Sequence, residues 1–264
     1  MLKVLNASKT FSPGTPNEHK ALDHLNLELK AGEFVTILGS NGAGKSTLFN
    51  AICGNFLLDE GSVILDGQDI TFMREHRRAK MIGRLFQDPM RGTAPHLSIE
   101  ENLALSYSKS TMGIFGRALN QRDRALFREE LSRFGMGLED RMDTKIGLLS
   151  GGQRQVVTLL MSTIVTPKLL LLDEHTAALD PATAEKVMAI TNEIVYERQI
   201  TTLMITHNMG SALTTGTRTI MMDAGSIIFD FDQEVRKKMT VSDLLDMYSE
   251  KKKEAFDNDR ILLS

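Results

Sequence analysis

The sequence has few residues that could form disulfide bonds, as in secreted proteins, or bind a metal through protein side chains alone. Its 264 residues contain one cysteine, Cys53, which excludes a disulfide within the chain and any cysteine-based zinc site. The six histidines, at positions 19, 24, 76, 96, 175 and 207, include no HxxxH-type pair, the spacing typical of a zinc site on a helix. We therefore expect Cys53 to fill apolar space and any metal to need further ligands from a bound molecule.

Long apolar runs and an excess of one charge are also missing. No stretch approaches the roughly 18 apolar residues of a membrane span, and residues 1–6 lack the apolar core of a signal peptide. Lysine and arginine number 31 against 34 aspartates and glutamates, which is not the basic footprint of a nucleic-acid-binding protein. These absences predict a cytosolic protein without a nucleic-acid partner.

One glycine-rich stretch dominates what is present. It reads Gly39-Ser40-Asn41-Gly42-Ala43-Gly44-Lys45-Ser46 and fits the phosphate-binding pattern G-x-x-x-x-G-K-[ST]. The apolar run 34–38 before it predicts a buried strand, and 47–53 after it predicts a short helix. Glycines allow the backbone to wrap closely around a polyphosphate, with N–H groups and the positive helix end directed at it. Lys45 suits the β- and γ-phosphates and the Ser46 hydroxyl suits Mg²⁺, so we expect a nucleoside triphosphate site.

Two acids follow a second apolar strand, residues 169–172. Asp173, at the carboxyl end of a parallel strand beside the glycine loop, is suited to hold Mg²⁺ through its water shell. Glu174 is the next residue, and its side chain points elsewhere, where it suits the orientation or deprotonation of an attacking water. The alternative is a pair of acids that only end a strand. Together with the glycine loop, the pair favours hydrolysis.

A second anion-binding corner is predicted where Ser150-Gly151-Gly152-Gln153 opens a helix over 153–165. A nucleotide has one γ-phosphate, and Lys45 already holds it. The second corner is most simply explained by a second subunit, with each chain covering the nucleotide of the other. Taken alone, the same residues are also compatible with a plain helix cap.

Two further polar residues lie beside predicted strands. His207 follows the strand 201–206 and is suited to contact the γ-phosphate. Gln87 begins a proline-interrupted loop and is suited to contact Mg²⁺ or the attacking water. As isolated residues, histidine and glutamine at such positions are more often structural.

The order of predicted elements indicates one domain with an insertion. Strands and helices alternate outside residues 88–165, whereas that block is rich in helices, one of which opens with a capping box from Ser98 to Glu101. We interpret 88–165 as a helical subdomain inserted in a domain of residues 1–240. A helix is predicted to start with Pro181 in its first position and to run to about Glu197. Residues 241–264 are interpreted as a C-terminal helix, ending at about Phe256, and a tail. The basic cluster at 73–80 is interpreted as a solvated surface.

These motifs together resemble the ATP-binding subunit of an ABC transporter over about residues 1–230. They stand in the order of that family: 39–47 as Walker A, Gln87 as Q-loop, 149–153 as signature, 169–174 as Walker B, 177–180 as D-loop and His207 as switch histidine. The resemblance implies an α/β fold, a P-loop NTPase with a RecA-like mixed sheet core, an antiparallel β subdomain and the inserted helical subdomain.

The resemblance also implies a set of site residues. Catalytic roles fall to Glu174, His207, Gln87 and Lys45, and Mg²⁺ contacts to Ser46, Gln87 and Asp173. ATP contacts fall to Phe11, Gly39, Ser40, Asn41, Gly42, Ala43, Gly44, Lys45, Ser46 and Thr47, with Ser150, Gly151, Gly152 and Gln153. Phe11 matches the aromatic that stacks on adenine in the family, although core packing remains an alternative. His175 stands where proline is commoner, and we expect that difference to alter loop stiffness more than chemistry.

The implied function is ATP hydrolysis that energises transport. The implied partners are a second copy in an ATP-sandwich dimer, integral membrane permeases and, indirectly, an extracytoplasmic substrate-binding protein, with the chain peripheral on the cytoplasmic face of the membrane. Residues 86–105 with 173–178 resemble a branch linked to bacterial tryptophan or tyrosine uptake. Three alternatives stay open: an export-type subunit, a soluble ABC ATPase of translation or DNA repair, and a purely regulatory nucleotide binder.

Overall fold

The computed structural model describes residues 1–111 and 120–262, with side chains described in 1–108 and 120–251. Its strands are β1 Leu2–Phe11, β2 His19–Leu29, β3 Phe34–Gly39, β4 Glu60–Leu65, β5 Gln68–Asp69, β6 Ile82–Leu85, β7 Leu169–Asp173, β8 Thr201–Ile205, β9 Arg218–Asp223 and β10 Ser226–Phe231. Its α-helices are α1 Lys45–Cys53, α2 Glu75–Arg78, α3 Ile99–Thr111, α4 Gln121–Ser132, α5 Gly151–Thr163, α6 Pro181–Glu197, α7 Met209–Thr214, α8 Gln233–Arg236 and α9 Val241–Leu262.

The strands form two sheets. A six-stranded sheet has the order β10-β9-β3-β8-β7-β6, parallel throughout except for the antiparallel β9–β10 hairpin. A four-stranded antiparallel sheet has the order β2-β1-β4-β5. The strands β7 and β8 are continuous apolar or threonine runs buried along almost their whole length, as expected of parallel strands covered on both faces. The α/β prediction with a mixed and an antiparallel sheet is confirmed.

The parallel register brings three strand ends to one edge. Ile37 of β3 pairs with Ile205 of β8, and Ile205 in turn pairs with Asp173 of β7. Because these strands are parallel, the segments that follow them leave from the same edge of the sheet. That edge carries the glycine loop, the two acids and His207.

Three apolar clusters hold the elements together. One lies between the two sheets around Leu48 and Phe49 of α1. A second joins the helices α3 to α6 to the other face of the large sheet. A third includes Leu244 of α9 with Met221 and Phe231 of the β9–β10 hairpin, so α9 packs onto the body of the protein.

Helix ends follow the predicted capping chemistry. The Ser98 hydroxyl accepts the Glu101 N–H at 3.1 Å and the Glu101 carboxylate accepts the Ser98 N–H at 2.7 Å, which confirms the predicted capping box. Helix α6 begins at Pro181 and ends at Glu197, as predicted. The boundaries 88–165, 1–240 and 241–264 stay predictions, and α9 continues six residues past the predicted Phe256 to Leu262.

The solvated surface predicted for the basic cluster at 73–80 is confirmed for four of its five basic residues, which are exposed, and is wrong for Arg78. Arg78 is 1% exposed, and its guanidinium donates to the carbonyls of Met73, Ala51, Ile52 and Thr71 at 2.8 to 2.9 Å. Buried carbonyls need donors, and one arginine supplies five N–H groups in a fixed plane. Arg78 therefore joins the end of α1 to the segment after β5.

Within the described part of the chain, none of the helices is both long enough and apolar enough to cross a bilayer.

Candidate ATP-binding and hydrolysis site

The glycine loop connects β3 to α1 in a conformation that only glycine adopts easily. Gly39 and Gly44 have φ of +151° and +97°. A Cβ at Gly39 would lie 2.3 Å from the Met222 carbonyl oxygen, and one at Gly44 would lie 2.4 Å from the Ala21 oxygen. Backbone contacts at such distances leave no room for a side chain. The loop is thus enclosed between β2 and β9 at its two ends.

Lys45 begins α1 and turns back into the loop. Its Nζ donates to the carbonyl oxygens of Gly39 at 2.7 Å and Ser40 at 2.9 Å, and the residue is 6% exposed. Burial lowers the pKa of Lys45, while the negative charges of Glu174 and Asp173 act in the opposite direction. The ammonium group is therefore held at the centre of the loop, within electrostatic range of both acids.

The remaining residues of the loop divide by exposure. Asn41, Gly42 and Ser46 are exposed, Ser40 and Thr47 are half-buried, and Ala43 is buried. The Ala43 carbonyl accepts the Gly225 N–H at 3.1 Å, so the turn of the β9–β10 hairpin packs against the loop and supports it. The exposed Ser46 hydroxyl lies in the first turn of α1, where free N–H groups and the helix dipole favour anions.

Glu174, His207 and Gln87 meet beside the loop. The His207 Nε2 lies 2.7 Å from one carboxylate oxygen of Glu174, and the Gln87 amide nitrogen lies 3.4 Å from the other. These side chains follow β7, β8 and β6 respectively, which the sheet order makes neighbours. The sequence indicated all three separately, and the topology brings them together.

The backbone of Glu174 is strained. Its φ is +47°, a left-handed conformation that is uncommon for a residue with a side chain and clusters at functional sites. The Glu174 N–H donates to the Ile205 carbonyl at 3.1 Å, and its own carbonyl accepts the Ala177 N–H at 3.0 Å. These bonds hold the backbone turn that follows β7.

Asp173 has a cationic neighbour that the sequence analysis missed. Arg84 of β6 lies 3.5 Å from the Asp173 carboxylate, donates to the Asn50 side chain of α1 at 2.9 Å and stacks on Phe86 with its guanidinium carbon 4.6 Å from the ring centroid. The signal was a single arginine within the otherwise apolar strand 82–86. Position along the chain alone does not say which acid such an arginine faces.

His175 is buried behind this acid cluster. It is 3% exposed, and burial lowers its pKa to about 4. Its Nε2 lies 3.2 Å from the Thr191 hydroxyl of α6. His175 is therefore neutral at physiological pH and faces the interior, away from solvent.

The signature corner lies at the start of α5, and its serine faces solvent. Ser150 is exposed and caps α5, with its hydroxyl 3.3 Å from the Gln153 N–H and the Gln153 side-chain oxygen 3.2 Å from the Ser150 N–H. Gly151 and Gly152 lie inside the first turn, where the sequence analysis had begun the helix at 153. A Cβ at Gly152 would lie 2.2 Å from the Thr183 methyl carbon, so this glycine is also required by packing onto α6.

Phe11 is not core filler. It ends β1 with 38% exposure, and its ring meets Phe56 edge-on with centroids 5.4 Å apart. The Lys9 ammonium lies 5.8 Å and 5.6 Å from the centroids of the two rings. The ring is thus supported on one side and open on another, which suits stacking with a planar base.

Comparison with known proteins identifies the family. The ABC transporter family model matches residues 22–177, which include the glycine loop, the signature corner and both acids. The chain belongs to the ABC transporter family. It is an ATP-hydrolysing, ATP-binding subunit of such a transporter.

Relatives along nearly the whole chain agree with this assignment. The tyrosine transport ATP-binding protein of Clostridioides difficile strain R20291 is 40% identical over 94% of this ABC ATPase and 98% of the relative. The phosphonates import ATP-binding protein of Oceanobacillus iheyensis is 35% identical over 87% of this chain and 89% of its own. Among solved structures, the dimeric structure of a bacterial ABC transporter cassette is 30% identical, with a TM-score of 0.76 over 88% of this chain and 99% of that one.

The donor set of the ABC ATPase fits Mg²⁺ only with help from a nucleotide. No group of three or more histidine, cysteine, aspartate or glutamate side chains that could hold a metal occurs in the described ranges. One carboxylate, one hydroxyl and one amide, from Asp173, Ser46 and Gln87, are instead the few oxygen ligands that Mg²⁺ accepts when phosphates and water complete its shell. The protein residues therefore fit a magnesium ion that arrives with ATP.

Proposed function

We propose that this subunit powers an importer and hydrolyses ATP between two copies of itself. In each site, Lys45 and the first turn of α1 hold the β- and γ-phosphates of one nucleotide, while Ser150, Gly151 and Gly152 of the second copy cover the same γ-phosphate. Two observations support this arrangement: the acid, histidine and amide converge beside the loop, and Ser150 is exposed to solvent. The relative whose structure is dimeric makes the arrangement sterically reasonable for this fold.

Hydrolysis follows from the position of Glu174. Its carboxylate accepts a proton from a water molecule, whose oxygen attacks the γ-phosphorus as the bond from that phosphorus to ADP breaks. His207, 2.7 Å from the carboxylate, orients it and faces the γ-phosphate. When bound, Mg²⁺ neutralises charge on the phosphates, with Asp173, Ser46 and Gln87 as its protein contacts. Phe11 stacks on the adenine.

The decisive carboxylate is tested by Glu174→Gln. This variant keeps the shape and the hydrogen bond from Gln87 but loses the base, so we expect ATP binding to survive while turnover falls by about a hundredfold or more. The variant accumulates as an ATP-stabilised dimer, measured by light scattering beside a phosphate-release assay. Hydrolysis at the wild-type rate rules out Glu174 as the base. A purely regulatory nucleotide binder is excluded if the wild-type chain releases phosphate.

A membrane partner is supported by a cavity of about 300 Å³ whose lining residues come from β6 and from the helices α2, α3 and α5, among others. Its lining includes the apolar residues Phe86 and Met161 and the cations Lys80, Arg84 and Arg91, against one acid, Glu75. The cavity therefore combines apolar surface with an excess of positive charge. A short cytoplasmic helix of a permease, carrying an acidic side chain, matches both properties. Phe86 lines this cavity, and the next residue, Gln87, lies 3.4 Å from the Glu174 carboxylate. This connection links docking to nucleotide state.

Arg91→Glu tests that docking because Arg91 is exposed and stacks near Phe86. We expect the variant to lose the permease during co-purification from detergent extracts while it retains ATP binding. Lys238→Glu is the matched control, since it changes net charge equally on the exposed segment after α8. If the wild-type chain itself co-purifies with no integral membrane protein, a soluble ABC ATPase is favoured instead.

Import and the solute are inferred from the relatives. One relative carries the word import and another tyrosine transport in its name. We therefore propose uptake of an amino acid, with an extracytoplasmic binding protein that delivers it and with this subunit on the cytoplasmic face of the membrane. ATP-dependent uptake of radiolabelled tyrosine by proteoliposomes that contain the co-purified permease tests the solute and the direction together. Efflux from inside-loaded vesicles indicates an exporter.

A further inference from the structure

The residue after the proposed catalytic acid is buried, although it belongs to the exposed connection between β7 and α6. His175 is 3% exposed while its neighbours Glu174 and Thr176 are half-buried. The His175 side chain enters the interior, whereas Glu174 belongs to the site. The buried side chain of His175 therefore fixes the turn between the two residues. Within the described part of the chain, the His175 ring forms its hydrogen bond with the Thr191 hydroxyl.

The direction of that hydrogen bond is set by the helix. The Thr191 hydroxyl lies 2.8 Å from the Val187 carbonyl, one turn earlier in α6. A hydroxyl has one hydrogen, which it donates to that carbonyl. Its oxygen therefore accepts from His175, whose Nε2 lies 3.2 Å away. His175 is thus the neutral tautomer with its proton on Nε2.

Glu174 needs such support because its backbone is strained. A φ of +47° persists in a residue with a side chain only where the surroundings hold it. The bond from the Glu174 N–H to Ile205 holds the turn against β8. The bond from His175 to Thr191 holds the following residue against α6. Glu174 lies between these two fixed points.

We propose that His175 is a positioning residue for ATP hydrolysis, whose Nε2–H bond to Thr191 fixes the turn that aims Glu174. The inference rests on the proposed role of Glu174 as base. It adds what orients Glu174: a hydrogen bond to α6, made by a residue that is not one of the nucleotide contacts. The sequence analysis expected a histidine in place of proline to alter mainly the stiffness of this loop. We add that the histidine orients Glu174 through a hydrogen bond.

The first test separates geometry from folding. His175→Ala removes the bond, and we expect kcat to fall about ten- to hundredfold, the cost of a misplacement of roughly 1 Å at a reacting group. The KM for ATP stays within about twofold, because the residue makes no contact with the nucleotide. His175→Gln restores an N–H donor of similar reach and recovers most of kcat.

The second test leaves the histidine in place. Thr191→Val deletes the acceptor with little change in shape and lowers kcat like His175→Ala, whereas Thr191→Ser retains the hydroxyl and the rate. Thr163→Val is the matched control: Thr163 is also buried and donates to a carbonyl one turn earlier, Leu159, at 2.8 Å. We expect this control to keep the wild-type kcat.

The outcomes distinguish this inference from the proposed function. All variants are measured at a temperature where each is fully folded, with Glu174→Gln in parallel. If Glu174→Gln is inactive while His175→Ala and Thr191→Val keep the wild-type kcat, the positioning role is overturned and the base survives. If the variants lose only thermal stability, His175 is structural and the inference is wrong. If Glu174→Gln is fully active, the proposed function itself fails.

Discussion

Two corners of the site differ in how complete they are within one chain. At the sheet edge, Lys45, Glu174, His207 and Gln87 already contact one another or the glycine loop through bonds of 2.7 to 3.4 Å. At the signature corner, Ser150 is exposed and its hydroxyl accepts only the N–H of its own helix end among the described contacts. The first corner therefore has its geometry within one chain, whereas we propose that the second acquires its role only from a second copy.

The difference teaches which part of the site is set by folding. Parallel strands buried on both faces fix where their ends lie, so residues after β7 and β8 converge without a ligand. The signature helix is fixed by other contacts, such as the tight approach of Gly152 to Thr183. Its serine is free to serve a second molecule.

The largest effect separates the two corners in the isolated subunit. Lys45→Ala removes the ammonium from the loop, and we expect ATP affinity to fall about a thousandfold, because each lost charged contact to phosphate costs several kcal/mol. Ser150→Arg leaves the affinity of the dilute single chain unchanged. Titration with a fluorescent ATP analogue at nanomolar protein measures both. Equal losses for the two variants contradict the division.

The next effect concerns the support of the complete corner and its pH dependence. The pKa of His175 is about 4 in the folded protein and 6.5 for the free group. Between pH 4 and pH 6.5 the histidine is therefore protonated in the unfolded chain and neutral in the folded one. Stability is therefore full above pH 6.5 and is lost as pH falls towards 4, by about 3 kcal/mol in all and roughly 2 kcal/mol by pH 5.

That linkage is measured by urea unfolding at pH 7 and pH 5. The wild type should lose more stability over this interval than His175→Gln, which has no proton to gain there. Identical pH dependence in the two proteins shows that His175 is accessible to water in the folded state, which contradicts its burial.

A smaller effect tests whether the signature corner is shaped by packing. Gly152→Ala places a Cβ 2.2 Å from the Thr183 methyl carbon, and overpacking of this kind costs about 1 to 3 kcal/mol. Thr183→Ala in the same chain removes that methyl group and should restore most of the lost stability in thermal unfolding. Destabilisation that persists in the double variant places the cause elsewhere than in this contact.

The smallest effect lies at the edge of the complete corner. The Ser40 hydroxyl and the Tyr248 hydroxyl of α9 lie 3.3 Å and 3.4 Å from the same oxygen of Asp223. Ser40→Ala removes a long, half-buried hydrogen bond and should lower the free energy of unfolding by about 0.5 to 1 kcal/mol. ATP affinity should change little, because the substitution keeps the backbone N–H that this position offers to a phosphate. A loss above about twice that size indicates that the loop depends on this bond.

The sequence predicts the elements well where local patterns decide them. The glycine loop with its flanks, the capping box at Ser98 and the helix from Pro181 to Glu197 each depend on neighbouring residues. The meeting of Glu174 with His207 could also be predicted, because both follow buried strands of one parallel sheet. The contacts of these residues with a nucleotide stay predictions, because the fold fixes where the residues lie and says nothing about the bound molecule.

The sequence did not predict contacts between distant charges and carbonyls. Arg84 faces Asp173 from another strand, and Arg78 enters the interior from a cluster that otherwise resembles a solvated surface. A charged residue in a short window predicts exposure, and only the tertiary fold supplies the buried carbonyls or the acid that reverse this expectation. The burial of His175 has the same origin, because its partner Thr191 lies 16 residues away on α6.

The shared site is tested most directly by mixing two inactive chains. Lys45→Ala destroys one corner and Ser150→Arg the other, so a mixed dimer contains one site with both corners intact and one with neither. We predict that each variant alone is inactive and that an equimolar mixture regains a fraction of wild-type phosphate release, rising with protein concentration. If the mixture stays as inactive as its components although the chains form mixed dimers, the two corners act within one chain and the account is contradicted.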